Sequence, residues 1–144
     1  MKKLILFLSF CLIMGTNTYA QDEDDLFEIN SNICSGIGGN YRCLQITSKV
    51  DDLTIYKVIA NRGNCETTIV LNNETYVIKN TDDGIFFHTF NNQLGWVPVS
   101  REDESKFYIK LDFGQTKNLG LESDCNLLET IVETDKGTVT HSWE

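Results

Sequence analysis

The sequence has few of the residues from which catalytic and metal sites are commonly built. It contains only two histidines, His88 and His141, in 144 residues. Proline and tryptophan are also scarce, with one and two residues respectively. No C-x-x-C, G-x-S-x-G or H-E-x-x-H motif occurs, so the signatures of zinc sites, serine hydrolases and metalloproteases are missing. The two histidines are not spaced as metal partners. We therefore predict no metal, no cofactor and no catalytic residue.

The sequence also lacks an apolar run of the roughly 20 residues that cross a bilayer. Its most apolar stretch, Leu4 to Met14, follows two lysines and precedes Thr18-Tyr19-Ala20, which has the small residues of a cleavage site. This order is typical of a signal peptide. We predict that residues 1–20 are a signal peptide cleaved after Ala20, and that the mature protein is periplasmic or secreted.

Cleavage leaves four of the five cysteines, and an even number in an exported chain indicates disulfides. Three pairings are possible. Proximity in the sequence favours Cys34 with Cys43, which leaves Cys65 for Cys125. On a chain-entropy estimate these two bonds would contribute about 2.5 and about 4 kcal/mol to stability.

Basic residues are scarce, with 12 lysines and arginines against 21 acidic residues and a net charge of -9. Loss of Lys2 and Lys3 with the signal peptide leaves 10 basic residues and a net charge of about -11. Such a surface repels nucleic acid and anionic lipid, and attracts basic proteins. We predict a basic protein partner, no nucleic acid and no membrane span after cleavage.

Turn residues and short apolar runs divide the mature chain, and no helical stripe is visible. Residues 21–30 are predicted to be an acidic leader and residues 31–144 a single domain. Thr67 to Leu71 precedes Asn72-Asn73, which suit a tight hairpin turn. Phe107 to Phe113 alternates most clearly, and we expect its odd-numbered residues to be buried. Eight or nine strands of this kind predict an all-β fold, an antiparallel β-sandwich that is Ig-like or a partly open barrel.

Two parts of the chain resemble a group of small, mostly uncharacterised exported proteins of Gram-negative bacteria. The first is the strand that ends in Asn61-Arg62-Gly63-Asn64-Cys65, and the second is Cys125 with the C-terminal hairpin that follows it. The resemblance implies a periplasmic β-protein with a Cys65 to Cys125 bond. It does not cover an insert at about residues 67–106, and we expect any specific function to lie there.

The insert combines aromatic residues with acidic turns on both sides. Most of its rings are needed in the core, and Trp96, beside Gly95, is the best candidate for an exposed one. An exposed ring surrounded by negative charge suits docking onto a basic protein. The predicted partner-binding residues are Asp82, Asp83, Trp96, Glu102, Asp103 and Glu104. The carboxylates lack the alternating ligand spacing of a known calcium loop.

These observations support three hypotheses. The leading one is a periplasmic acidic module that binds proteins, an immunity protein or inhibitor that neutralises a basic secreted toxin or hydrolase. The second is a structural or adhesive component of the cell surface or envelope that uses an open sheet edge. The third is a small hydrolase that uses His88 with a carboxylate from Asp82-Asp83. Because no catalytic constellation is assembled in the sequence, we do not predict an enzyme.

Overall fold

Eleven strands form two sheets in the part of the chain that the structure, a computed structural model, describes: residues 25–36, 38–81, 83–90 and 92–144. The predicted signal peptide and the first four residues of the acidic leader lie outside these ranges. None of the described helical segments is long and apolar enough to cross a membrane. The strands are β1 Phe27–Gly36, β2 Gly39–Ser48, β3 Leu53–Ala60, β4 Thr67–Leu71, β5 Glu74–Thr81, β6 Gly84–Thr89, β7 Asn92–Pro98, β8 Ile109–Leu111, β9 Thr116–Leu121, β10 Glu129–Thr134 and β11 Gly137–Ser142.

The larger sheet has seven strands in the order β1-β2-β9-β4-β5-β6-β7, and the smaller one has four in the order β11-β10-β3-β8. Every pair is antiparallel, and neither sheet closes into a barrel. The predicted all-β fold of two antiparallel sheets is therefore confirmed. The chain passes between the sheets several times, so the fold depends on pairings that are distant in sequence.

The core lies between the sheets because alternate side chains of each strand point to the same face. The start of β3 shows this pattern, with Leu53 and Ile55 almost fully buried and Tyr56 exposed, whereas its last three residues, from Val58 on, are all buried. Burial of each such aliphatic side chain contributes about 1.5 to 3 kcal/mol. The largest fully buried aliphatic side chains are Leu44, Ile46, Leu53, Ile55, Ile59, Ile69 and Val132.

Both predicted disulfides are present. Cys34–Cys43 joins the two strands of the β1–β2 hairpin, and Cys65–Cys125 links the segment after β3 to the loop before β10 across 60 residues. Cys65 and Cys125 are 5 % and 4 % exposed and belong to the core. The long-range bond therefore connects the smaller sheet to the start of the insert at one end of the sandwich.

The predicted strand from Phe107 to Phe113 is wrong at both ends. Only Ile109–Leu111 is a strand, and Phe107 ends a 3-10 segment, Glu104–Phe107. Phe113 is 69 % exposed, not buried. A turn follows β8 at once, because the Gln115 N–H donates to the Asp112 carbonyl at 3.0 Å and Gly114 adopts a positive φ of 77°. The alternation of apolar and polar residues continues in the sequence to Phe113, although the strand ends at Leu111.

Two strands were not predicted. β1 starts at Phe27, inside the segment assigned to the acidic leader, because Leu26 and Phe27 are each only 3 % exposed and anchor the chain to the core. β9 lies in the middle of the larger sheet, although Thr116–Leu121 has little strand patterning. With these two the described strands number eleven, more than the eight or nine expected.

The insert is continuous with the sandwich. Its four strands, β4 to β7, form one end of the larger sheet, and β4 joins β9 through the pairs Thr67 with Leu121 and Thr68 with Gly120. The turn between β4 and β5 is the predicted tight hairpin, with positive φ values of 51° at Asn72 and 65° at Asn73. Residues 67–98 therefore widen the larger sheet beyond the four strands of the smaller one.

Candidate functional site

The outermost strand of the insert, β7, carries a bulge. Phe87 faces Val97 and Thr89 faces Asn92, so β7 advances five residues while β6 advances two. Gly95 lies within the bulge and has a φ of 124°, which residues with a side chain rarely adopt. Bulges at sheet edges change the direction in which neighbouring side chains point. The bulge in β7 thereby determines the position of the residue that follows Gly95.

That residue, Trp96, lies against His88 on the outer face of the sheet. The two ring centroids are 4.7 Å apart with an interplanar angle of 58°. Trp96 is 38 % exposed, whereas Phe90, in the turn between β6 and β7, is 59 % exposed. The sequence singled out Trp96 as the exposed ring of the insert, but the structure leaves Phe90 more exposed. The His88–Trp96 contact packs one ring against Trp96.

His88 is not placed to work with Asp83. The two residues are five positions apart on one extended strand and its turn, which corresponds to about 16 Å at 3.3 Å per residue. The imidazole Nδ1 lies 3.2 Å from the carbonyl oxygen of Thr89, the next residue. Among the described residues no carboxylate hydrogen-bonds to His88. Asp82, the other acid of the hydrolase hypothesis, lies outside the described residues.

One backbone hydrogen bond joins the two parts of the chain that lead to the acidic residues on either side of the insert. The Val99 N–H donates to the Ile85 carbonyl at 2.9 Å, so the chain leaving β7 starts beside the β5–β6 turn that contains Asp83. We call Asp83, Glu102, Asp103 and Glu104 the acidic corner. Trp96 lies three residues before Val99, about 10 Å away along β7.

Charge within the acidic corner is only partly compensated. Asp103 accepts hydrogen bonds from Lys106 Nζ at 2.5 Å and from Ser100 Oγ at 2.7 Å, and these bonds lower the pKa of its carboxyl group. In the described part of the chain no ion pair reaches Asp83, Glu102 or Glu104. The corner therefore presents excess negative charge to solvent.

A groove opens on the inner face of the insert, where the 3-10 segment replaces a strand of the smaller sheet. Its volume is about 400 Å³. Three rings pack edge-to-face or tilted at its base, with centroid distances of 6.0 Å from Tyr76 to Phe87, 5.4 Å from Tyr76 to Phe107 and 5.2 Å from Phe87 to Phe107. We call this the aromatic groove. Its other lining residues are Leu71, Asn72, Val97, Pro98, Val99, Ser100, Asp103 and Lys106.

Except for Asn72, the polar side chains of the aromatic groove already have partners. The Tyr76 hydroxyl donates to the Glu74 carboxylate, and this bond, followed by burial, raises the pKa of Tyr76. Ser100 and Lys106 both donate to Asp103. Val97, 50 % exposed, lies at the outer edge of the groove. The groove therefore offers an apolar base, and its polar side chains bond to one another at the rim.

The Asn61-Arg62-Gly63 turn has a structural role. Asn61 Oδ1 accepts the Leu128 N–H at 2.7 Å and the Glu129 N–H at 3.1 Å, which holds the loop before β10. A Cβ at Gly63 would lie 2.7 Å from the Asn80 carbonyl oxygen, so only glycine fits there. The Arg62 side chain is 81 % exposed and pairs with Glu129 at 3.6 Å. Asn61 and Gly63 thus hold the turn, while Arg62 projects from it.

No group of three or more His, Cys, Asp or Glu side chains that could hold a metal ion occurs in residues 25–36, 38–81, 83–90 and 92–144. The predicted site residues are arranged differently from the ligands of a metal centre. A backbone hydrogen bond from Val99 to Ile85 joins the segment of Asp83 to the segment of Glu102, Asp103 and Glu104, and Trp96 precedes Val99 in β7.

The sequence did not identify the aromatic groove. Composition assigned the aromatic residues of the insert to the core as a group, and Tyr76 and Phe107 were not considered for a site. Strand alternation separates Phe86 from Phe87, because neighbours in a strand point to opposite faces. It therefore assigns Phe87 to the inner face once the pairing of Ile78 with Phe87 is known. Phe107 reaches the same face only through the path of the 3-10 segment, for which no sequence signal exists.

No family model, curated protein or solved structure matches this chain. The resemblance to small exported Gram-negative proteins therefore remains a prediction, and functional inference rests on the geometry of the chain itself.

Proposed function

We propose that this chain is a binding module for a basic protein, and that it acts in the periplasm as an immunity protein or inhibitor of a secreted toxin or hydrolase. The observation that carries the proposal is the acidic corner, which follows the place where the start of β6 and the end of β7 lie side by side. Asp83 precedes Ile85 by two residues and Glu102 follows Val99 by three, and the Val99 N–H donates to the Ile85 carbonyl. Trp96 lies three residues before Val99, about 10 Å away along β7.

Each part of this surface fits recognition of a basic protein. A partly exposed tryptophan held by a neighbouring ring supplies a rigid apolar anchor, which is the residue type most enriched at binding hot spots. Surrounding negative charge accelerates encounter with a basic partner and disfavours acidic ones. The net charge of -9 adds a long-range attraction that salt screens beyond about 10 Å.

The test uses purified basic hydrolases, including lysozymes and secreted nucleases, rather than a lysate. We expect the chain to inhibit at least one of them at low salt, with an association rate that falls steeply as salt rises. Glu102→Lys with Glu104→Lys should weaken inhibition at least tenfold, and Trp96→Ala should do the same. Absence of binding across the panel, together with unchanged sensitivity of a deletion strain to rival bacteria, would contradict the proposal.

A charge-matched control separates local recognition from the overall field. Asp25→Lys with Glu28→Lys makes the same change in net charge at the β1 edge, the opposite side of the larger sheet. Both control residues are exposed. We expect inhibition by this variant to be weakened less than threefold. Equal losses in the two double variants would mean that the acidic corner has no specific role.

A second candidate function has one observation in its favour. β1 is an edge strand of ten residues that pairs with β2 without a bulge and contains no Lys, Arg or Pro, the residues that commonly protect edges. Such an edge suits strand addition in a structural or adhesive assembly. This candidate predicts self-association that increases with concentration. A monomer at all concentrations by light scattering would count against it.

A further inference from the structure

The aromatic groove and the acidic corner share the segment that follows β7. Asp103 belongs to the corner and also lines the groove, and Lys106 lines the groove beside it. Glu74 lies at the rim through its bond with the Tyr76 hydroxyl. A ligand in the groove would therefore meet an apolar base and a rim on which carboxylates outnumber cations.

The interior of the groove determines which chemical group can enter. Its rings are Tyr76, Phe87 and Phe107, and the one polar atom among them, the Tyr76 hydroxyl, is already bonded. An entering group would find no free hydrogen-bond partner there, so a polar or charged group would lose its hydration without compensation. An aromatic or branched aliphatic group has no hydrogen bonds to water to lose, and it gains contact with the rings. The volume of about 400 Å³ falls in the range of known ligand sites.

The charges at the rim determine which residues of a ligand can lie beside that apolar group. Asp103 lines the groove and is bonded to Lys106, and Glu74 is bonded to the Tyr76 hydroxyl. Glu102 and Glu104, the chain neighbours of Asp103, form no ion pair within the described ranges. A lysine or arginine next to the apolar group would therefore be attracted, and a carboxylate repelled. A second copy of this chain, with its net charge of -9, would be repelled as a whole.

We propose that the aromatic groove receives an aromatic or branched aliphatic side chain of the basic partner, from a segment in which Lys or Arg flanks that side chain. This inference rests on the proposed function and names the part of the partner that is recognised. It assigns Val97 to the outer edge of the contact and the three rings to its base.

The test uses three peptides as probes: acetyl-Arg-Phe-Arg-amide, acetyl-Glu-Phe-Glu-amide and acetyl-Arg-Gly-Arg-amide. Each is titrated into the folded chain with both disulfides intact, and backbone amide shifts are followed by NMR. We expect saturable shifts at Phe87, Val97 and Phe107 with the first peptide. The acidic peptide and the glycine peptide should each bind at least fivefold more weakly, because one lacks the charge match and the other the ring.

Two valine variants form a matched pair. Val97→Asp places a carboxylate at the groove, while Val70→Asp makes the same change on β4, away from the groove. The two valines are 50 % and 55 % exposed, so both variants should fold, which amide dispersion will verify. We expect Val97→Asp to weaken binding of the first peptide at least tenfold and Val70→Asp to change it less than twofold.

Several outcomes would overturn the inference. These are the absence of saturable shifts at the groove, equal binding of the arginine–phenylalanine and arginine–glycine peptides, or equal binding by the two valine variants. Shifts at the groove that appear on increasing protein concentration without peptide would show that a second copy of the chain occupies it instead.

The two proposals can fail separately. If Val97→Asp still inhibits a basic hydrolase as the unmodified chain does, the groove is not part of the interface and the proposed function stands. If the peptide binds the groove but no basic protein is inhibited, the groove stands and the proposed function fails.

Discussion

Replacement of Asn61 by alanine should remove a large part of the stability of this protein. The Asn61 side chain accepts the backbone N–H groups of Leu128 and Glu129, and its Nδ2 donates to the Asn126 carbonyl at 2.5 Å. Each such bond contributes about 0.5 to 1.5 kcal/mol net, so the three together contribute about 2 to 4 kcal/mol. Alanine at a positive φ of 49° adds about 1 kcal/mol of backbone strain. We expect Asn61→Ala to cost about 3 to 5 kcal/mol.

Two further variants separate these contributions. Asn61→Gly loses the same three bonds but tolerates the positive φ, so it should be about 1 kcal/mol less destabilised than Asn61→Ala. Asn61→Asp keeps the one oxygen that accepts both N–H groups but places a second carboxylate oxygen against the Asn126 carbonyl in place of the donor, so we expect a cost of about 1 to 3 kcal/mol.

The assay is urea unfolding with both disulfides intact, followed by tryptophan fluorescence and by circular dichroism to verify two-state behaviour. Domains of this size have a stability of about 5 to 15 kcal/mol, so the expected loss is easily measured. An Asn61→Ala variant within 0.5 kcal/mol of the unmodified chain would refute the reasoning. So would an Asn61→Asp variant as unstable as Asn61→Ala, because the acceptor bonds would then have no measurable role.

Three other predictions concern the disulfides, a glycine and a carboxylate. Replacing both cysteines of the Cys65–Cys125 bond by serine should lower the free energy of unfolding by about 4 kcal/mol, against about 2.5 kcal/mol for the hairpin disulfide, because the loop it closes is longer. Thermal unfolding checks this order, which equal losses would contradict. Gly63→Ala should cost at least 2 kcal/mol more than Gly114→Ala, since both have a positive φ but a Cβ has open space only at Gly114. The Asp103 carboxyl should titrate below its usual range in a carbon-detected NMR titration. Its contribution to stability should be present above the usual pKa and lost as the pH falls through the folded-state pKa, and Lys106→Met should return the pKa toward its usual value more strongly than Ser100→Ala.

Local chemistry explains which parts of the fold the sequence predicted. The bounds of β4 and the hairpin turn at Asn72-Asn73 depend on residues within a few positions of one another, and these features are confirmed. Both disulfide pairings are also confirmed, because sequence proximity selected the first and left the second. Where local signals were weak, as at β9, a strand formed because its neighbours in space, β2 and β4, supply the pairing.

The candidate site was predicted only in part. Clustered acids are visible as a run of letters, so Glu102, Asp103 and Glu104 were identified, and the structure adds a backbone bond between Val99 and Ile85 that joins their segment to that of Asp83. The aromatic groove was missed because its three rings come from β5, β6 and a 3-10 segment. No pattern within one segment reports that three segments meet.

The sequence by itself determined the all-β class, most of the hairpins, the two disulfides and the acidic character of this protein. These properties follow from alternation, turn residues and composition. Alternation and turn residues act over short distances along the chain, and composition does not depend on structure. Tertiary structure alone decided the order of the strands, the exposure of Phe113 and Phe90, and the meeting of Tyr76, Phe87 and Phe107. The physical reason is that pairing and burial between distant segments depend on how the whole chain closes around one core, and a period of two in a strand gives the face of a residue only after its neighbours are known.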